Sequence, residues 1–163
     1  MMIIRIATIK DIKSITDIYN EAILNTVATF DTNPKTLEEQ KIWFEKHSAK
    51  YPVLVAVEAN NVIGWVSLSA WSDRCAYADT AEISLYIKDG WRGKGVGRKL
   101  SYAVLKAGKE AGLHTVIARM AEGNDVSIHL AETLGFKPIG VMKEVGRKFG
   151  KLLDVYLMQI IFD

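Results

Sequence analysis

Trp91-Arg92-Gly93-Lys94-Gly95-Val96-Gly97-Arg98-Lys99-Leu100 follows an apolar, strand-like run from Ile83 to Ile87 and opens a helix-like run that continues to about Ala111. Three glycines at every second position leave the backbone free of side chains where the helix starts. Unpaired N–H groups and the positive end of the helix dipole converge there. Such a junction is a seat for a phosphate or pyrophosphate. Arg92, Lys94, Arg98 and Lys99 add positive charge around it. Two better-known glycine loops do not fit. No Lys-Ser or Lys-Thr pair follows Gly95 or Gly97, as a P-loop requires. Arg98 stands where a dinucleotide fingerprint needs its third glycine. The plain alternative is a solvated turn with charges on its surface.

The wider context separates these readings. Downstream of Arg92-x-x-Gly95-x-Gly97 come Asn124, Ser127 and Leu134-Gly135-Phe136. Order and spacing together resemble the GNAT superfamily of acetyl-CoA-dependent N-acetyltransferases. The stretches WSDRCAYADTAEISLYI (71–87) and VGRKFGKLLD (145–154) are similar to its phosphinothricin, or methionine sulfoximine, N-acetyltransferase branch. Ile18-Tyr19-Asn20-Glu21 and Thr29-Phe30-Asp31-Thr32 fit the same branch. The resemblance runs from about Arg5 to Met158.

Composition narrows the function classes. At 163 residues with 49% hydrophobic content, residues 1–163 read as a single domain with a sizeable core, which the resemblance makes an acetyltransferase domain. No apolar run approaches the roughly 18 residues of a membrane span. Met2-Ile3-Ile4 is too short for a signal-peptide core. Cys75 is the only cysteine, so no internal disulfide is possible. These features favour a cytoplasmic protein. A net charge of +2 with interspersed signs is no footprint for nucleic acid. One cysteine and three scattered histidines offer no metal-ligand spacing. No G-x-S-x-G elbow marks a serine hydrolase.

Hydrophobic periodicity predicts strands over Met2–Ala7, Pro52–Glu58, Val62–Ala70, Thr80–Lys88, His114–Met120, Phe136–Val145 and Leu152–Ile161. It predicts helices from Ile9 to about Leu24, from Thr36 toward His47, from the glycine loop to Ala111, and from Asn124 or Gly123 to Leu134. Thr8 with Asp11, and Thr36 with Glu39, read as capping boxes. The resulting order is β-α-α-β-β-β-α-β-α-β-β. The resemblance implies an α/β (α+β) GNAT-like fold, a mixed and mostly antiparallel seven-stranded sheet flanked by helices.

Function follows from the same resemblance. It implies that acetyl-CoA is held by Arg92, Gly93, Lys94, Gly95, Val96 and Gly97 at its pyrophosphate and by Asn124 at its pantetheine arm. Leu85, Tyr86 and Ile87 would present backbone groups to the inserted arm, although Leu85 and Ile87 also read as core side chains. Glu82 would take the proton of the attacking amine; a solvated glutamate at a strand edge is the alternative. Phe30, Trp71, Arg74 and Tyr77 would bind a small amino-acid-like acceptor, with the Arg74 fork on its carboxylate. Otherwise Arg74 is a surface arginine, and Trp71 and Tyr77 are packing. Lys148 and Phe149 match the branch's KFG element and would border the pocket. The branch commonly forms homodimers. One departure is Ala131, seven residues after Asn124, where many relatives carry a Tyr and this branch a His. His129 lies about 200° around the helix from that place, and His47, His114 and His129 all read as surface histidines. Acceptors such as protein N-termini, polyamines or aminoglycosides stay open, as does an acyl-CoA-binding module with little catalysis.

Overall fold

In the computed structural model, which describes residues 1–163, the strands are β1 (Ile3–Ile6), β2 (Val53–Glu58), β3 (Asn61–Ala70), β4 (Thr80–Ile87), β5 (Thr115–Ala121), β6 (Lys137–Lys148) and β7 (Lys151–Ile161). The helices are α1 (Ile12–Asn25), α2 (Leu37–Glu45), α3 (Val96–Glu110) and α4 (Asp125–Thr133). The strands form one sheet in the order β1-β2-β3-β4-β5-β7-β6. Every neighbouring pair is antiparallel except β4 with β5.

Side-chain alternation gives the sheet two different faces. Leu54, Ala56, Val66 and Leu68 join Leu100, Val104 and Leu105 of α3 in the larger core. The α3 positions recur at helical spacing, so one face of that helix is apolar. On the opposite face Val53, Val55 and Trp65 pack with Ile15 and Ile18 of α1. Fully buried residues such as Ile15, Val66 and Leu100 each contribute about 1.5–3 kcal/mol through burial. Trp65 also makes edge contacts with Tyr19 and Trp43, at 5.9 and 5.2 Å between ring centroids. An aromatic wall therefore lies between the sheet and the first two helices.

Several boundaries differ from the periodicity reading for local reasons. The first helix opens as a tight 3-10 turn, Ile9–Asp11, before α1 begins. Asp11 accepts the Thr8 N–H at 2.8 Å and a two-pronged bond from Arg5 at 2.8 and 2.9 Å. Strand β6 runs on to Lys148, past its expected end at Val145. Glu144 takes a left-handed turn (φ 48°) and its N–H donates to Asp154. The register shift between Met142 and Gly146 absorbs this bulge, and pairing then resumes. Phe149 and Gly150, both at positive φ, close the hairpin as a two-residue turn. His47 is a correction to the surface reading. Its Nδ1 bonds the Trp43 carbonyl and its Nε2 bonds Ser69 Oγ, tying the end of α2 to β3, and burial pushes its pKa down.

The Asp11 knot supplies a stability prediction. The Arg5 hydrogen bonds, which outweigh burial, hold this carboxyl below the usual carboxylate range, with the Thr8 N–H adding to the effect. A depressed folded-state pKa stabilises the fold above the unfolded carboxylate pKa; that stabilisation is lost as pH falls through the folded value. Asp11→Ala is expected to cost about 1–3 kcal/mol near neutral pH. The difference from wild type shrinks in acid. Urea melts at several pH values check it, and a loss that stays constant down to strongly acid pH would contradict the ion-pair explanation.

Candidate active site

Strands β4 and β5 pair only over Thr80–Glu82 with Thr115–Ile117. Beyond Glu82 and Ile117 they part, and β5 continues on β7 alone. Splitting a sheet leaves one edge of β4 with backbone donors and acceptors that no strand covers, an unusual state for the centre of a sheet. A cleft of about 520 Å³ opens at this fork. Its walls come from β4, β5, α4, β6 and the loop after α1. Leu85, Tyr86, Asn124 and Ala131 line it, and so do Glu82 and Phe30.

Residues 91–97 and Ile87 do not themselves line this cleft; the start of α3 lies next to it, with Gly97 packed beside Leu85 and Leu130, which do. Gly95 is the residue before α3 and is left-handed (φ 83°), and Gly93 is too (φ 75°). Nothing lies within 4 Å of the place where a Gly95 side chain would start. Gly97 has a different reason to be glycine. A Cβ there would meet Leu85 at 3.2 Å, so it lets α3 lie close against β4. Leu85 and Ile87 indeed pack into the larger core, which leaves their backbone to face the fork. Arg92 donates to Glu21 of α1 at 2.6 Å, and Lys94 lies 5.1 Å from the Trp91 ring centre. The Arg92 bond ties the loop to α1, and the Lys94 contact lies within the loop. Asn124 stands at the N-cap position of α4, and its side chain makes no capping bond. That amide instead lines the cleft. Ala131, buried on α4, presents only a methyl group there.

Glu82 is not isolated. Arg119 of β5 grips it with two bonds, Nε–H to Oε2 at 2.5 Å and Nη2–H to Oε1 at 2.7 Å. The bond to Glu82 raises the arginine's pKa. The Arg119 guanidinium in turn lies 5.4 Å from the centre of the Trp71 ring. Trp71 therefore reaches the cleft through Arg119. Arg74 and Tyr77 sit on the exposed β3–β4 connection and do not line the cleft.

The loop carrying Phe30 is held from several sides. Tyr19 donates to Asp31, and Thr29 Oγ1 lies 3.0 Å from the same hydroxyl. Tyr86 donates to the Ala28 carbonyl at 3.3 Å. Burial raises the pKa of both phenols, so both remain protonated donors. Lys148, almost fully buried, donates to the carbonyls of Thr26 and Thr29 at 2.8 and 2.7 Å, and burial lowers its pKa. Its neighbour Phe149 is exposed. The KFG stretch thus divides into a buried clamp and a solvent-facing turn, and neither residue lines the cleft as expected.

The Acetyltransferase (GNAT) domain family matches residues 2–137. The chain belongs to this family. Among GNAT relatives, the L-methionine sulfoximine/L-methionine sulfone acetyltransferase of Pseudomonas aeruginosa is 38% identical over 162 residues, covering 98% of this chain and 94% of that protein. A GNAT phosphinothricin acetyltransferase from Sinorhizobium meliloti, solved in complex with acetyl-CoA, superposes with a TM-score of 0.95 at 35% identity, covering 99% and 88% of the two chains. A ribosomal-protein-alanine N-acetyltransferase from Brucella melitensis gives 0.94 at 35%, covering 98% and 99%. The forked mixed sheet is thus a GNAT fold, and this GNAT chain is an acetyltransferase. No helix is long and apolar enough to cross a membrane. No group of three or more His, Cys, Asp or Glu side chains is arranged to hold a metal ion.

Sequence reading passed over Arg119. The signal was a lone cation inside the otherwise apolar run Val116–Ala121, at the position two residues beyond Ile117. Residues two apart share a sheet face, and Ile117 is the register partner of Glu82. Arg119 therefore had to project on the same face as the carboxylate.

Proposed function

We propose that the protein transfers the acetyl group of acetyl-CoA to the α-amine of a small amino-acid acceptor, of the methionine sulfoximine, methionine sulfone or phosphinothricin kind. The observation that carries this reading is Glu82 at the point where the β4–β5 fork opens into a cleft that the Phe30 loop and Asn124 also line. The cavity and its donor set fit the coenzyme. The left-handed Gly95 leaves open space beside the first amides of α3, the Asn124 amide is uncommitted, and the β4 edge is unpaired. The coenzyme supplies an activated thioester.

The residues of the chain divide the work. Amides of residues 92–97 hold the diphosphate at the start of α3, where the helix dipole assists. Asn124 and the exposed backbone of Leu85, Tyr86 and Ile87 hold the arm. A backbone N–H of β4 donates to the carbonyl oxygen as it gains charge. Glu82 accepts the amine proton, directly or through one water. Ala131 offers no acid, so the sulfur leaves as thiolate and takes its proton from solvent. Phe30 forms the acceptor wall.

The deciding experiment measures free thiol released from acetyl-CoA with L-methionine sulfone, L-methionine sulfoximine, phosphinothricin, spermidine, an aminoglycoside and an alanine-terminated peptide. Release with the first three alone is expected. No release above background with any of those three would remove this acceptor class. Tight acetyl-CoA binding with no turnover on the whole panel would point to a binding module.

We further read the β6 edge as the surface for a second copy of the chain. Ile139, Val141 and Val145 of β6, with Phe149 and Leu152 beside them, are 43–60% exposed, an apolar stretch that a monomer rarely leaves open. Light scattering at micromolar concentration is expected to give twice the 18.2 kDa chain mass. A monomer mass would remove the assignment.

A further inference from the structure

The Glu82–Arg119 pair offers more than a base held in place. A guanidinium carries five N–H donors in one plane. Glu82 uses Nε–H and one Nη2–H. Nη1 makes no hydrogen bond within the chain, although the side chain has an aromatic ring against it and an ion-pair partner beside it. The far edge of the fork, Nη1 with the second Nη2–H, is therefore open. Arg119 is roughly half exposed, at 48% of its side chain, and lines the cleft. The Trp71 contact and the Glu82 bonds together fix the plane of the guanidinium, so this edge is set before any ligand arrives.

We propose that this open edge of Arg119 receives the acceptor's α-carboxylate, so that Glu82 and Arg119 together recognise the zwitterion of an α-amino acid. The inference rests on the acetyltransferase reading above and names the group that selects its acceptor. An α-amino acid carries its ammonium and its carboxylate on one carbon. Glu82 faces the ammonium and takes its proton; Arg119, bonded to that same Glu82, takes the carboxylate in a second two-pronged bond. The four charges then alternate in sign around a single cluster, each satisfied by its neighbours. Arg74, the arginine that the sequence offers for this task, lies outside the cleft in an exposed connection. Placing the carboxylate on Arg119 also brings the amine to the mouth of the fork, where the thioester would enter between β4 and β5.

The test compares kcat/KM for L-methionine sulfone with that for its carboxamide, which keeps the amine and loses the anion. Wild type is expected to prefer the acid by about 100-fold or more, because a site built around a charged partner rejects an analogue that leaves it unpaired. In Arg119→Gln the acid should lose about 100-fold and the carboxamide about fivefold or less, so the preference collapses. Arg119→Lys, which keeps charge without the fork, should fall between and covers the case in which the glutamine variant does not fold. Equal losses on both substrates would overturn the proposal and leave Arg119 as a positioning residue for Glu82 alone. A preference that collapses in Arg74→Gln and persists in Arg119→Gln would overturn it in favour of Arg74. Wild-type enzyme that acetylates amines but no α-amino acid would instead remove the acceptor reading, and the zwitterion site with it.

Discussion

Glu82→Gln is expected to lower kcat/KM for an amino-acid acceptor by about 10²–10⁴-fold at neutral pH, the usual contribution of a positioned base. The amide keeps the shape of the side chain and loses both the negative charge and the proton-accepting oxygen. Coenzyme affinity should hold within about twofold, because the assigned diphosphate and pantetheine contacts lie elsewhere and only transition-state stabilisation is removed. Residual activity should climb with pH as free amine accumulates without the enzyme's help. Removing the carboxylate also strips Arg119 of its partner. Arg119 is half exposed, so water can satisfy it, and the fold should survive. A loss under tenfold, with coenzyme binding intact, would show that solvent alone deprotonates the amine.

Replacing Gly95 with valine should raise the coenzyme dissociation constant by about 100-fold, equivalent to roughly 2.7 kcal/mol. Two effects act, the first on the stability of the fold and the second on the coenzyme site. A β-branched residue resists the left-handed conformation that Gly95 holds at φ 83°, at a cost of about 1–3 kcal/mol. Its side chain would also occupy the open space beside the first amides of α3, where the diphosphate must come close. Gly90 separates these effects. It has a similar conformation (φ 88°) and equally open surroundings, and it lies outside the 92–97 cradle. Gly90→Ala should therefore cost stability and leave coenzyme affinity within about threefold, since strain alone acts through the fold. Calorimetric titration with coenzyme A on both variants decides it. Equal affinity in wild type and Gly95→Val would move the diphosphate site elsewhere.

The parts of this molecule that a sequence reveals are those governed by local rules. The seven strands and four helices follow from periodicity, and the strand-to-helix glycine loop follows from spacing. Glu82 was visible because the stretch 71–87 resembles the acetyltransferase branch, which carries a glutamate there. Arg119 falls in no such motif, and a lone charged residue in a strand usually marks a solvated position. Only the parallel register of β4 with β5 places it beside Glu82. Lys148 was harder still. Its partners, the carbonyls of Thr26 and Thr29, lie more than a hundred residues earlier in the chain. A main-chain acceptor leaves no mark in side-chain pattern. Asn124 or Gly123 was expected to start α4; Asn124 holds the N-cap position, and its amide makes no capping bond. His47 likewise gave no sign that Ser69, on a distant strand, would hold its ring. These misses share a cause: the partner is supplied by topology.

Gly146 carries an implication for how such an enzyme could change its diet. A Cβ at that position would stand 2.2 Å from the ring of Phe30, so the hairpin and the Phe30 loop are in close contact at this point. The ring is 37% exposed, so it has room to turn outward. A methyl group at 146 would therefore displace the ring and reshape that side of the cleft without touching Glu82. Homologues that handle bulkier or slimmer amines should differ at 146, at 30 or at both, and a single codon at 146 is a place where directed evolution can begin.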